Sequence, residues 1–304
     1  MRMFHIHMGG KMSQSGSTIP RRQLGRHLRD LRQQSGLTIA SVAKAIERGD
    51  STVQRLETAD PAVRIRLWDI EAICRVLGAD ETTTEGLKGL AQQANTKHWW
   101  HEYGDVIPED FDVYIGLEAD AKKLTSYAEL VPGLAQTADF ARSLFTTVHP
   151  EARAAEIDRR VEIRMNRQVL FTRKARPIEV DMVLDESVLH RVIGNAKIMA
   201  AQLRRLADLS TRDNFSIRVL PFAAGLPLGD PTGPFIVLDF GLDGNGQTVE
   251  PTVVYVESYT GAMYFTDQRV VERYQRAAMK HRGLALGEQA SRDLLRKAAR
   301  EFTT

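Results

Sequence analysis

Gly36-Leu37-Thr38, then Val42-Ala43 and Ile46, then Asp50 through Glu57 constrain this chain more tightly than any other stretch. Gly36 stops one helical pattern, and Thr38 has the chemistry to cap a second helix. Asp50 or Ser51 can cap a third, and Gln54, three residues after Ser51, has capping-box spacing. Apolar side chains recur at Val42, Ile46, Val53 and Leu56, with small Ala43 where two helices must cross closely. This spacing predicts two short helices joined by a tight turn.

The remaining positions decide what such a pair can do. Ser51, Thr52, Gln54 and Arg55 are left for the outer face of the second helix. Their hydrogen-bonding groups suit base edges in the major groove, Gln54 toward adenine and Arg55 toward guanine or a phosphate. Arg21, Arg22, Lys44 and Arg48 are placed to meet backbone phosphates. The expected DNA-binding set is Thr38, Lys44, Arg48, Ser51, Thr52, Gln54 and Arg55. Glu57 is expected to pair with an arginine such as Arg32 rather than touch DNA. Between Arg21 and Arg66 ten basic residues stand against five acidic ones, while the whole chain carries a formal net charge of only +2. A basic end on a near-neutral body suits a polyanionic partner, here double-stranded DNA. The plainer alternative is a five-helix interaction module without DNA affinity.

At 304 residues the chain is long enough for two domains. Residues 1–20 have the Gly- and Ser-rich composition of a disordered tail, and His5 and His7 within it make at most half a metal site. Residues 21–96 read as five helices. Leu24, Leu28 and Leu31 stripe the first. Leu67, Ile70, Ile73, Cys74 and Leu77 stripe the fourth, and Asp80 offers a cap to the fifth. Trp99 and Trp100 follow, either as packing or as a stacking platform for bases.

In residues 97–304 the pattern becomes mixed. A helix is expected over 115–126, a turn over 127–134, a helix capped by Thr137, and one charged helix over 151–171. After Pro177 the period changes to two, predicting strands over 178–184, 215–220, 235–240, 252–257 and 262–265. Between the first two of these, Asp185 caps a short helix that Gly194 ends, and Met199 to Leu209 form another. Two helices, 268–280 and 287–302, close the chain. The expected fold is α + α/β mixed: a five-helix helix-turn-helix domain, then an α+β domain with one antiparallel-rich sheet.

The stretch Leu28-Arg29-Asp30-Leu31-Arg32, Gly36-Leu37-Thr38, Val42-Ala43, Ser51-Thr52-Val53 and Arg55-Leu56-Glu57 resembles the Cro/repressor-type (XRE) helix-turn-helix family. Two positions differ from that family. Ile39 stands where it commonly has Gln, and Glu47-Arg48 stands where its turn carries Gly and an apolar residue, which implies a longer or strained turn. Beyond residue 97, Leu117-Glu118-Ala119, Tyr127, Val131 through Thr137, Leu184-Asp185-Glu186, Val219 through Phe222 and Val254 through Glu257 are similar to the C-terminal domain of actinomycete WhiJ-like regulators. That resemblance implies a transcriptional regulator of development or secondary metabolism, and a small partner protein encoded by a neighbouring gene; a cytoplasmic location is expected from the lone cysteine and from an N-terminus without an apolar signal core. A homodimer on a palindromic site is the expected assembly. A toxin–antitoxin-like pair member and an enzyme fused to a DNA-binding module are the alternatives.

Tyr127, Gly133, Gln136 and Glu257 are the candidate ligand- or partner-binding residues. Val131 through Thr137 reads either as a pocket rim whose amides hold an anion or as a rigid corner between helices. Glu257 ends an apolar strand: it is a buried acid or base, an exposed strand end, or the partner of Arg164 or Arg167. His149, His190 and His281 show no metal-ligand spacing, and no phosphate-cradling glycine loop is present. No catalytic residue, metal or cofactor is expected. The lone cysteine, Cys74, excludes a disulfide within the chain and reads as a small buried hydrophobe. No apolar run is long enough to span a membrane.

Overall fold

The computed structural model describes residues 18–60, 62–96, 99–103, 106–107, 109–242 and 246–303. These separate into two compact units, one ending at Glu102 and one starting at Tyr103. His5, His7 and residues 1–17 of the expected tail lie outside the described residues. Residues 18–20, expected in the tail, instead open the first helix, where Ile19 is buried.

The first unit is built on α1 (Thr18–Gln34), α2 (Ile39–Ala45), α3 (Asp50–Glu57), α4 (Leu67–Val76) and α5 (Glu81–Ala94). Leu24 and Leu28 of α1, Val42 and Ala43 of α2, Val53 and Leu56 of α3, Ile70, Ile73 and Cys74 of α4, and Leu87 and Ala91 of α5 share one buried core. Thr38 and Asp80 cap as read: Ser41 N–H donates to Thr38 Oγ1 at 3.1 Å and Thr83 N–H to Asp80 Oδ1 at 2.6 Å. The expected cap of α3 is corrected. Gly49 holds the N-cap position with no side-chain bond, so Asp50 and Ser51 lie inside the helix and no capping box forms. Gly25 lets α1 cross α3 at backbone distance, since a Cβ there would lie 2.7 Å from the Leu56 carbonyl oxygen and 2.9 Å from that of Glu57.

The second unit runs α6 (Glu109–Asp120), β1 (Lys123–Ala128), α7 (Ala138–Val148), α8 (Ala154–Asn166), α9 (Val169–Thr172), β2 (Glu179–Asp185), α10 (Ser187–His190), α11 (Ala196–Leu209) and β3 (Phe215–Leu220). It continues with β4 (Phe235–Asp239), β5 (Val253–Ser258), β6 (Gly261–Phe265), α12 (Gln268–Leu284) and α13 (Glu288–Glu301). The strands form one sheet in the order β3-β2-β1-β4-β5-β6. The pairs β1–β2 and β2–β3 are parallel, and the other three are antiparallel, so the sheet is mixed.

Two expectations fail here. The helix read over 115–126 stops at Asp120, and its tail is β1, the strand at which parallel and antiparallel halves meet. Thr125, Ser126 and Lys123 give β1 no apolar alternation; pairing on both sides with β2 and β4 holds it extended. The charged helix read over 151–171 is two helices, broken at Arg167-Gln168. Asp185 sits at the end of β2 and accepts the Ser187 N–H at 2.9 Å, with Glu186 in the N-cap position of α10.

Successive crossovers from β1 to β2 to β3 move the same way along the sheet, so right-handed connections put their helices on one face. On the other face α12 packs Val271, Ala277 and partly buried Tyr274 against Tyr127, Val183, Phe235, Val237 and Val254. The β3 edge is closed by the chain's end: Leu286 N–H donates to the Val219 carbonyl at 2.8 Å, and Val219 N–H donates to Ser291 Oγ at 3.0 Å. At the other edge β6 is the last strand among the described residues. No helix of the described residues is long and apolar enough to cross a membrane.

Candidate nucleic-acid interface

The α2–turn–α3 segment presents its inner and outer faces cleanly. Val42 and Ala43 are fully buried, and Val53, Leu56 and Glu57 face inward from α3. Residues 51, 54, 55 and 58 fall at helical spacing on the opposite side, and all four are exposed. Thr52 is half-buried at the flank. The turn carries the strain its composition implied: Glu47 has φ 54°, a left-handed conformation that suits glycine.

Three ion-pair systems hold this frame. Arg32 grips Glu57 with two bonds, Nε to Oε1 at 2.6 Å and Nη2 to Oε2 at 2.8 Å, as the sequence suggested. That bonding raises the Arg32 pKa, although its partial burial opposes the shift. Arg29 adds a bond to the Glu57 carbonyl at 2.9 Å. Arg48 donates from Nε at 3.0 Å and Nη2 at 2.8 Å to Asp69 Oδ1, tying the turn to α4. Arg55 lies 3.5 Å from Asp60 and remains more than half exposed.

Arg21 departs from its expected role at phosphates. It is buried, and its Nη1 donates to the carbonyls of Asp60 at 2.9 Å and Val63 at 2.8 Å. Burial lowers its pKa, and the charge of Asp60 opposes that. Arg21 is a clamp on the loop after α3, not a surface cation. Of the remaining candidates, Thr38, Lys44 and Arg48 are exposed beside the outer stripe. Sequence reasoning missed Gly25 and Asp69. An acid inside the apolar stripe of α4 was the available signal for Asp69.

In the second unit the candidate residues have other surroundings. Gln136 is buried, its Nε2 donating to the Val131 carbonyl at 2.7 Å and its Oε1 accepting from Arg164 Nη1 at 2.6 Å. Gln202 holds the same corner, taking the Thr137 N–H at 2.7 Å and donating to the Ala135 carbonyl at 2.8 Å. A Cβ on Gly133 would meet the Arg164 side chain at 3.2 Å. The Arg164 pKa falls to about 10, through burial first and the charge of Arg167 second. Arg167 forms a buried bidentate pair with Glu118 at 2.8 and 2.7 Å, and Tyr114 donates to the same carboxylate at 2.7 Å. Tyr127 is buried, stacked on His281 at 4.2 Å, with its hydroxyl 3.3 Å from Asp185. Burial and then Asp185 raise its pKa. Glu257 is exposed near the end of β5. Trp100 is buried and meets Trp99 edge-on at 5.8 Å, so the pair does not present two stacking faces.

Residues 23–87 match a family described as a helix-turn-helix domain. Residues 111–297 match a family described as a domain of unknown function (DUF5753). No curated protein and no solved structure matches the chain. With an exposed polar stripe on a buried helix-turn-helix frame, and the greater part of its length in the second match, this chain belongs to the DUF5753 family and carries a helix-turn-helix domain ahead of it.

Proposed function

We propose that this protein is a sequence-specific DNA-binding transcriptional regulator. The observation that carries the reading is the outer stripe of α3, where Ser51, Gln54 and Arg55 are exposed on a helix whose other face is locked by Val53, Leu56 and the Arg32–Glu57 pair. Gln54 and Arg55 read base edges, with Ser51 and Thr52 beside them. Thr38, Lys44 and Arg48 lie where phosphates flank the groove. Resemblance to WhiJ-like regulators favours targets in development and secondary metabolism.

The second unit serves assembly or sensing in this reading. Its β6 edge supports a homodimer: Gly261-Ala262-Met263-Tyr264-Phe265 carries neither charge nor proline, the usual protections of an edge strand. Two copies would present two reading helices to the half-sites of a palindrome.

The test is a band shift at physiological salt on a duplex enriched by the full chain from a random library. Replacing Gln54 and Arg55 together by Ala removes discrimination between that duplex and a scrambled one, at about 1–3 kcal/mol per lost base contact. Unchanged discrimination in a folded double variant overturns the assignment.

A further inference from the structure

We propose that Arg64, Arg66 and Trp68 form a second DNA contact, made to the sugar–phosphate backbone beside the groove that α3 enters. The proposal rests on the reading of α3 as the groove helix. Trp68 is the second residue of α4, and it is 72% exposed, in contrast to the buried apolar side chains around it. The next residue, Asp69, is buried and accepts both bonds from Arg48. That anchor pins the first turn of α4 against the α2–α3 turn, next to the N-terminal end of α3. The indole is therefore one residue from a fixed point on the motif, at the end of the reading helix that approaches bases in this kind of docking.

The chemistry beside it selects the occupant. Arg64 and Arg66 are exposed, and neither makes an ion pair among the described residues. Two unneutralised guanidiniums, two and four residues before an exposed indole, complement a polyanion that also offers apolar surface. Duplex DNA supplies both, as phosphate oxygens and deoxyribose faces. The indole ring lies against a sugar, its Nε1–H donates to a phosphate oxygen, and the arginines neutralise neighbouring phosphates. Such contacts add affinity without reading sequence.

The experiment uses the full chain and the library-enriched duplex, with a scrambled duplex beside it. Trp68→Ala weakens binding to both duplexes by the same factor, about three- to tenfold for one hydrogen bond and its packing. Arg64→Gln and Arg66→Gln each flatten the dependence of log affinity on log salt by about one. Tryptophan fluorescence of the wild type changes on adding duplex, and the change shrinks in Trp68→Phe. Unchanged affinity and salt slope in variants that keep the wild-type circular dichroism overturn the proposal. So does a Trp68→Ala variant that turns a dimer into a monomer with unaltered intrinsic DNA affinity, since the indole then packs on a second copy. If no duplex is enriched at all, the groove-reading assignment falls, and this one with it. Enrichment with an inert Trp68 removes only this one.

Discussion

The outer stripe of α3 and the corner from Val131 to Thr137 are both rich in amide and guanidinium groups, and they use them oppositely. In the corner, Arg164 donates to the Gln136 side chain and Gln168 Nε2 reaches the Gln136 carbonyl at 2.7 Å, while Gln136 and Gln202 bond the backbone of Val131, Ala135 and Thr137. On α3, Ser51 and Gln54 face solvent on a frame whose own polar needs are met beneath them by Arg32, Glu57, Arg48 and Asp69. The first arrangement fixes a fold. The second leaves donors and acceptors available for a partner. The same residue types are informative only once burial is known.

The comparison breaks most visibly where a buried group loses its partner. Arg167→Ala leaves the fully buried Glu118 carboxyl without its bidentate partner, and destabilises the second unit by about 3–5 kcal/mol. Chemical denaturation followed by circular dichroism reads this; an effect under 1 kcal/mol would contradict the burial. Gly25→Ala forces a Cβ into the Leu56 and Glu57 carbonyls and lowers first-unit stability by about 1–3 kcal/mol, as overpacking does. Its melting temperature should fall together with DNA affinity, because the frame of α3 is displaced.

Sharpening the contrast needs one pair of matched substitutions. Gln136→Ala orphans a buried carbonyl and part of Arg164, and costs about 1–3 kcal/mol. Gln54→Ala changes stability by no more than about 0.5 kcal/mol. Equal thermal shifts in the two variants would remove the distinction. Glu47→Gly relieves the left-handed backbone and raises first-unit stability by up to about 1 kcal/mol.

The smallest expected effect is a pH dependence. His281 is buried under Tyr127, with Nδ1 2.8 Å from the Ala277 carbonyl, and burial lowers its pKa. The unfolded chain then takes up the proton first. The stability due to the neutral ring is present above about pH 6.5 and is lost as pH falls through the lower folded value. Melting temperatures between pH 7.5 and 5.5 should therefore drop less in His281→Phe than in the wild type.

Much of the first unit was legible because its helices are short, capped and striped. Thr38, Asp80 and the core positions follow from local spacing, and the Arg32–Glu57 pair, 25 residues apart, from charge complementarity. Arg21 did not, because nothing in sequence tells a surface arginine from one that reaches carbonyls of Asp60 and Val63 across the fold. Asp50 and Ser51 misled for a related reason. Cap chemistry was available there, yet Gly49 takes the position once α3 is seated. In the second unit the later strands announced themselves by alternation, whereas β1 is a strand because of its neighbours. The corner at Gln136 carried two readings, and its long-range partners, Arg164 and Gln202, are not legible in the sequence.

The closed β3 edge has a consequence for how large an assembly can grow. A sheet with two open edges can add copies without limit, whereas in this one Leu286 and Ser291 plug β3 and β6 is the other edge among the described residues. In the proposed dimer through β6 each copy would use that edge, so growth by that route would end at two. The segment from Leu286 to Ser291 thus acts as a stopper at β3, and removing it would free the Val219 amide and carbonyl as a second edge for strand addition.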